Sequence, residues 1–157
     1  MAQTTDTIRL LLAEDLPVLI DLINATGLFP GAMLADMAAP GLAGAEDAEF
    51  WLVDARGSPV ALAYCAPERM TQGTWNLLLI AVHPARQGQG HGTALLRAVE
   101  RRLAEAGHHL LLVETSALPE FEASRAFYLA RGFAEEARIR DFYRAGEDKV
   151  VYRKRLP

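Results

Sequence analysis

The stretch from Thr74 to Thr115 constrains the fold more than any other part of the chain. Leu77–Val82 is continuously apolar, the pattern of a strand buried on both faces. A glycine-rich loop, Arg86–Gly92, follows it. From Thr93 onward, Leu95, Leu96, Val99 and Leu103 recur at helical spacing, and Gly107 is suited to end that helix. A second apolar strand comes next, at His109–Thr115. Strand, loop, helix and strand in so short a span predict two parallel strands joined by a helical crossover.

The flanks add strands and helices to this unit. Residues 7–12 (TIRLLL) read as a first strand. Leu16, Leu19, Ile20 and Ile23 mark a helix over Glu14–Asn24, with Pro17 in the first turn, where its missing N–H costs nothing. Pro30, Gly31 and Pro40 break the next stretch and leave room for a short helix around Ala32–Met37. Glu49–Asp54 and Pro59–Ala66 form a hairpin about Arg56-Gly57-Ser58. Phe121–Arg131 is a further helix, closed by Gly132, and strands follow at Phe133–Arg140 and Lys149–Leu156. The outline is a mixed α/β sheet. With 157 residues and no repeat or low-complexity linker, a single domain over residues 1–157 is expected.

Composition excludes several classes. Hydrophobic residues make up 51% and charged residues 23%, which is unlike a disordered or collagen-like chain. One cysteine, Cys65, forbids an intramolecular disulfide. With no basic and apolar leader and no apolar run of about 18 residues, a cytoplasmic protein with no membrane partner is expected. Residues 1–75 carry ten acidic and three basic side chains, and residues 76–157 carry ten acidic and thirteen basic. Such a split suits two ligands of opposite sign, or arises by chance. The basic residues form no dense run with interleaved aromatics, so nucleic acid is not expected as a partner.

Gln87-Gly88-Gln89-Gly90-His91-Gly92 sits between a buried strand and a helix. That position gathers backbone N–H groups and the positive end of a helix dipole, the setting for a pyrophosphate, although a ligand-free turn has the same composition. A P-loop would need Lys-Ser or Lys-Thr after the last glycine, where Thr93-Ala94 stands. The dinucleotide pattern Gly-x-Gly-x-x-Gly fails in both frames, at Thr93 and at Leu95.

The arrangement resembles the GNAT superfamily of acyl-CoA-dependent N-acetyltransferases. Gln87, Gly90 and Gly92 fill its Gln/Arg-x-x-Gly-x-Gly/Ala signature at a strand-to-helix junction. Ile80-Ala81-Val82-His83-Pro84 looks like the end of its fourth strand. Ala126-Phe127-Tyr128-Leu129-Ala130-Arg131-Gly132-Phe133 looks like its second conserved block. The resemblance covers residues 7–156. It implies the GNAT fold: one mixed, mostly antiparallel sheet with a central parallel pair, strands 4 and 5, splayed apart and flanked by helices.

By this resemblance acetyl-CoA is the co-substrate and a primary amine of a small molecule, peptide or protein is the acceptor. Acetyl transfer would proceed by direct attack in a ternary complex. Backbone groups of Ile80, Ala81 and Val82 would hold the pantetheine arm, and an N–H near Val82 would polarise the acetyl carbonyl. Gln87, Gly88, Gln89, Gly90, His91, Gly92 and Thr93 would form the pyrophosphate cradle, the side chain of His91 facing solvent or the phosphates. Arg86 and Arg125 suit the remaining phosphate, though Arg125 equally fits a solvated helix face. Tyr128 would protonate the leaving thiolate, or else serve as a buried aromatic anchor beside Phe127 and Phe133. Glu114 matches a glutamate used as general base in the ribosomal-protein alanine acetyltransferase branch. An apolar strand would favour its protonated form, as proton acceptance at neutral pH requires. The other readings are a sheet-end glutamate paired with an arginine, or one acting through a water. His83 and His109 are further base candidates.

The sequence departs from the family pattern in three places. Thr74-Trp75-Asn76 offers no glutamate early in the fourth strand, Phe121 stands where an asparagine is usual, and Glu114 to Tyr128 is two residues longer than in the alanine branch. A catalytically silent acyl-CoA-binding or sensory module on the same fold is the alternative these departures leave open. The acceptor is expected over Leu28–Glu49 and Ile139–Val151, near Phe29, Met33, Met37, Phe142 and Tyr143, with Trp51 in the core. Asp36, Glu46, Asp47, Glu49, Asp141, Glu147 and Asp148 would attract a cation there, or are ordinary loop charges. Asp141–Asp148 reads as the tip of a hairpin. The histidines and Cys65 have no ligand spacing, so no metal is expected. A homodimer is a habit of the family.

Overall fold

The computed structural model describes residues 7–45 and 48–157. Seven strands form one mixed sheet: β1 (Ile8–Leu10), β2 (Phe50–Arg56), β3 (Ser58–Pro67), β4 (Thr74–Val82), β5 (Leu110–Ser116), β6 (Ala134–Arg144) and β7 (Glu147–Arg155). Their order is β1-β2-β3-β4-β5-β7-β6. The helices are α1 (Leu16–Thr26), α2 (Leu34–Leu42), α3 (His91–Glu105) and α4 (Glu122–Ala130). As the apolar runs on either side of the glycine loop predict, β4 and β5 are parallel. The chain divides into two compact units, the described residues up to Ala66 with Leu79–Arg102, and Pro67–Leu78 with Leu103–Pro157.

In the first unit, β1 pairs antiparallel with β2, and β2 with β3 across a turn at Gly57 whose φ of +88° suits glycine. A 3₁₀ turn at Ala13–Asp15 leads into α1. Asp15 anchors that start: its carboxylate accepts from the Leu12 N–H at 2.8 Å and from two Arg9 nitrogens at 2.7 and 2.8 Å. Pro17 lies in the first turn of α1, as expected. Leu19, Leu22 and Ile23 project from α1 onto Leu34 and Ala38 of α2 and onto Trp51, Val53, Leu62 and Ala81 of the strands. Each such fully buried aliphatic side chain stabilises the fold by about 1.5–3 kcal/mol.

The short helix expected at Ala32–Met37 is instead a 3₁₀ turn, Gly31–Met33, followed by α2, which runs through Pro40 to Leu42. Pro40 falls near the end of this nine-residue helix, and the Ala43 N–H still closes on the Ala39 carbonyl at 3.1 Å. Gly41 is set by packing: a Cβ there would come within 2.8 Å of the Trp51 ring.

In the second unit, Thr74–Leu77 pair with Leu110–Val113, and β5 pairs antiparallel with β7 over its whole length. The β4–β5 ladder ends at Leu77, and the next residue, Leu78, is half-exposed rather than buried as its apolar run suggested. A 3₁₀ turn, Pro119–Phe121, precedes α4, and the Phe133 N–H folds back onto the Tyr128 carbonyl past Gly132. The last two strands are longer than expected, so most of Asp141–Asp148 is strand. The β6–β7 register shifts between Ile139 and Arg144, and Asp141 adopts φ +55° in that bulge. Among the described residues no helix is long and apolar enough to cross a membrane.

Candidate active site

The glycine loop lies in the first unit. Gly88 and Gly90 have φ of +75° and +88°, and a Cβ on either would meet nothing within 4 Å. Glycine is required there by backbone conformation, and the loop opens onto free space. The Gln87 amide donates to the Val82 carbonyl at 3.3 Å, and the His83 N–H to the Val60 carbonyl at 2.9 Å, which fixes the end of β4 on both sides. Ala81 packs into the core, while Ile80 and Val82, on the other face, are part-exposed. The helix begins at His91, two residues earlier than its apolar pattern suggested, so His91, Gly92 and Thr93 form the first turn. A first turn leaves N–H groups without intrahelical partners at the positive end of the dipole.

The His91 side chain turns inward rather than to solvent. Its Nδ1 lies 2.7 Å from Oδ2 of Asp54, a buried β2 carboxylate whose other oxygen accepts from the Thr7 hydroxyl. Asp54 is a residue sequence reasoning missed. The signal was a lone carboxylate in the apolar run Phe-Trp-Leu-Val-Asp-Ala. Of the other histidines, His83 caps the next turn by accepting from the Ala85 N–H through Nδ1. His109 packs on Gly73 ahead of β5, at the opposite end of that strand from Glu114.

Tyr128 and Glu114 belong to the second unit. Tyr128 is buried on α4, edge-on to Phe127 and Phe133 and with its centroid 6.2 Å from that of Tyr152. Burial pushes its phenol up to about 12, so it is protonated throughout the neutral range. Glu114 is 31% exposed, and its Oε2 lies 3.1 Å from the Lys149 ammonium. The partner is thus a lysine, where an arginine was one expectation, and the carboxylate does not stand among apolar groups alone. Facing residues in a ladder share a face, and neighbours along a strand alternate. Val113 faces Tyr152 and Ser116 faces Lys149. Tyr128 therefore packs on one face of the β5–β7 pair, and Glu114 with Lys149 occupies the other.

Arg125 is half-buried, and its Nη1 donates at 2.8 Å to both the Ser116 and Leu118 carbonyls, tying α4 to the end of β5. Arg86 is exposed at the end of the 3₁₀ turn Pro84–Arg86. Trp51 is core, stacked on Tyr64 at 4.2 Å, while Phe29 and Met37 are half-buried beside the core and Met33 is exposed. The Tyr64 hydroxyl donates to the Glu49 carboxylate, and burial followed by that bond pushes its pKa up. Glu46 and Asp47 lie outside the described residues. Phe142 and Tyr143 are exposed near the β6–β7 turn, and Asp148 accepts from Arg138 at 2.7 Å and from the Asp141 N–H at 2.9 Å. Cys65 is buried, which pushes its thiol pKa well up and leaves it unreactive. Among the described residues no group of three or more His, Cys, Asp or Glu side chains is placed to hold a metal ion.

Comparison with known proteins bears on this arrangement. Residues 46–135 match the model of the acetyltransferase (GNAT) domain family. A protein of the GNAT acetyltransferase family from Desulfovibrio desulfuricans superposes with a TM-score of 0.85 at 31% identity, over 96% of this chain and 98% of that one. The ribosomal-protein-S18-alanine N-acetyltransferase of Escherichia coli gives 0.74 at 27% identity, over 96% and 93%. The yncA protein of Salmonella typhimurium, solved with its cofactor acetyl-CoA, has the same fold, with a TM-score of 0.73 at 21% identity over 96% and 94%. No curated protein matches the sequence. The chain is a member of the GNAT family of acetyltransferases.

Proposed function

We propose that this acetyltransferase moves an acetyl group from acetyl-CoA to a primary amine by direct attack in a ternary complex. The observation that carries this reading is the placement of Tyr128 and Glu114 on opposite faces of one strand pair. Direct attack at a thioester needs a proton acceptor on the side where the amine arrives and a proton donor where the thiolate leaves. The neutral amine attacks the carbonyl carbon and its proton passes to Glu114, directly or through a water. The C–S bond then breaks as the Tyr128 phenol gives its proton to the sulfur, leaving the amide and free coenzyme A. Exchange with solvent returns both groups to their starting forms.

In this reading the backbone of Ile80, Ala81 and Val82 holds the pantetheine arm, and an N–H near Val82 stabilises the oxyanion. Gln87, Gly88, Gln89, Gly90, His91, Gly92 and Thr93 receive the pyrophosphate through the backbone. The free space at Gly88 and Gly90 supports this, as does the relative solved with acetyl-CoA. The test is coenzyme-A thiol release from acetyl-CoA against N-terminal peptides, lysine peptides, polyamines, amino acids and aminoglycosides, with a no-amine blank. Release confined to one class of amine names the acceptor. Silence throughout, with no thermal stabilisation by acetyl-CoA, would remove the coenzyme assignment.

A further inference from the structure

We propose that Lys149 is a positioning residue for the transfer reaction: its ammonium holds one oxygen of Glu114 and leaves the other oxygen to take the acceptor's proton. This rests on the reading of Glu114 as the base.

Three observations carry it. Lys149 stands opposite Ser116 in the β5–β7 register, two residues along from the partner of Glu114 and on the same face, and its Nζ lies 3.1 Å from Oε2 of Glu114. The lysine side chain is only 9% exposed, whereas an unconstrained lysine beside a strand end reaches into water. A ring covers it on another side: Nζ lies 3.8 Å from the centroid of Phe142.

The backbone is shaped to supply that ring. Phe142 follows Asp141, whose φ of +55° marks the bulge where the β6–β7 register shifts. Asp148 accepts from the Asp141 N–H at 2.9 Å, and Asp141 accepts from the Gly146 N–H at 2.7 Å, so the bulge is tied to β7 and to the turn before it. An unusual conformation, itself braced, is thus used to close a cation against a carboxylate.

The other charged groups around Glu114 do not duplicate this role. Tyr143 on β6 lies within electrostatic reach, its phenol raised by burial first and then by Glu114 and Glu147. Glu147 pairs with Arg144, and Asp148 with Arg138. Arg125 on α4 donates to the Ser116 and Leu118 carbonyls. Lys149 is the cation whose contact with Glu114 the fold builds.

The experiment is a carbon-13 NMR titration of the Glu114 carboxyl, assigned with Glu114→Gln, in the wild-type protein, Lys149→Met and Lys149→Arg. Loss of an adjacent cation should move the midpoint up by about one pH unit or more, and arginine should restore most of the difference. Lys149→Gln repeats the test should the methionine variant fail to fold. An unchanged or lowered midpoint in the uncharged variants overturns the proposal. With an acceptor in hand, the acid limb of the kcat profile should move up by the same amount. Wild-type turnover in Glu114→Gln would instead refute the base reading, whatever the NMR titration shows.

Discussion

Asp54 in β2 lies 2.7 Å from Nδ1 of His91, the first residue of α3, and this pair ties the start of the glycine-loop helix to the core of the first unit. Both partners are largely buried, at 4% and 16% side-chain exposure, and Thr7 holds the remaining Asp54 oxygen. Truncating the carboxylate would leave an imidazole N–H and a hydroxyl without their acceptor.

Asp54→Ala should therefore cost about 2 kcal/mol, the usual scale for orphaning partners of a buried charged group. For a chain of this size that is a fall in Tm of about 4–8 °C, readable by calorimetry. A Tm within about 1 °C of wild type would mean that the pair holds nothing together.

Tyr128→Phe should lower turnover by about ten- to a thousand-fold, as expected on losing a general acid. Acetyl-CoA affinity, measured by calorimetric titration, should barely change. The ring keeps its contacts with Phe127, Phe133 and Tyr152, so stability should hold as well. Wild-type turnover would return Tyr128 to the role of aromatic anchor.

Gly90 separates backbone strain from charge. Its φ is +88° with nothing near a built Cβ, so Gly90→Ala should cost about 1 kcal/mol of stability and little coenzyme affinity. Gly90→Glu adds a negative charge where the pyrophosphate is proposed to sit, and should weaken acetyl-CoA binding by at least about tenfold more than alanine does. Equal affinities for the two variants would move the phosphate site elsewhere.

The Arg9–Asp15 pair sets a pH dependence. Its hydrogen bond from Arg9 holds the Asp15 carboxyl below the usual aspartate range. A depressed folded-state pKa contributes stability above the unfolded value, about 3.9, and that contribution is lost as pH falls through the folded value. The Tm difference between wild type and Asp15→Asn should stay constant from pH 8 to about pH 5 and shrink below about pH 4. Arg9 is 39% exposed, so solvent screening keeps the difference to a few degrees. A difference that persists unchanged to pH 2 would show that the carboxylate's charge is not what stabilises the turn.

Residues 74–115 determined the parallel pair by themselves, because two unbroken apolar runs around a glycine loop and an amphipathic helix have few other ways to bury themselves. Order and spacing likewise mark Gln87, Gly90, Gly92 and Tyr128 as the candidates on which the proposed function rests, since motif positions are local in sequence. Partners distant in sequence were not legible. Asp54 meets His91 across 37 residues, and Lys149 meets Glu114 across two strands whose register no local pattern fixes. The same holds for Gly41, whose lack of a side chain answers to Trp51 rather than to its own helix. Apolar periodicity records which face of an element is buried, and a signature records what backbone a loop needs. Which charge stands against which carboxylate depends on strand register and bulges, and only the folded sheet decides those.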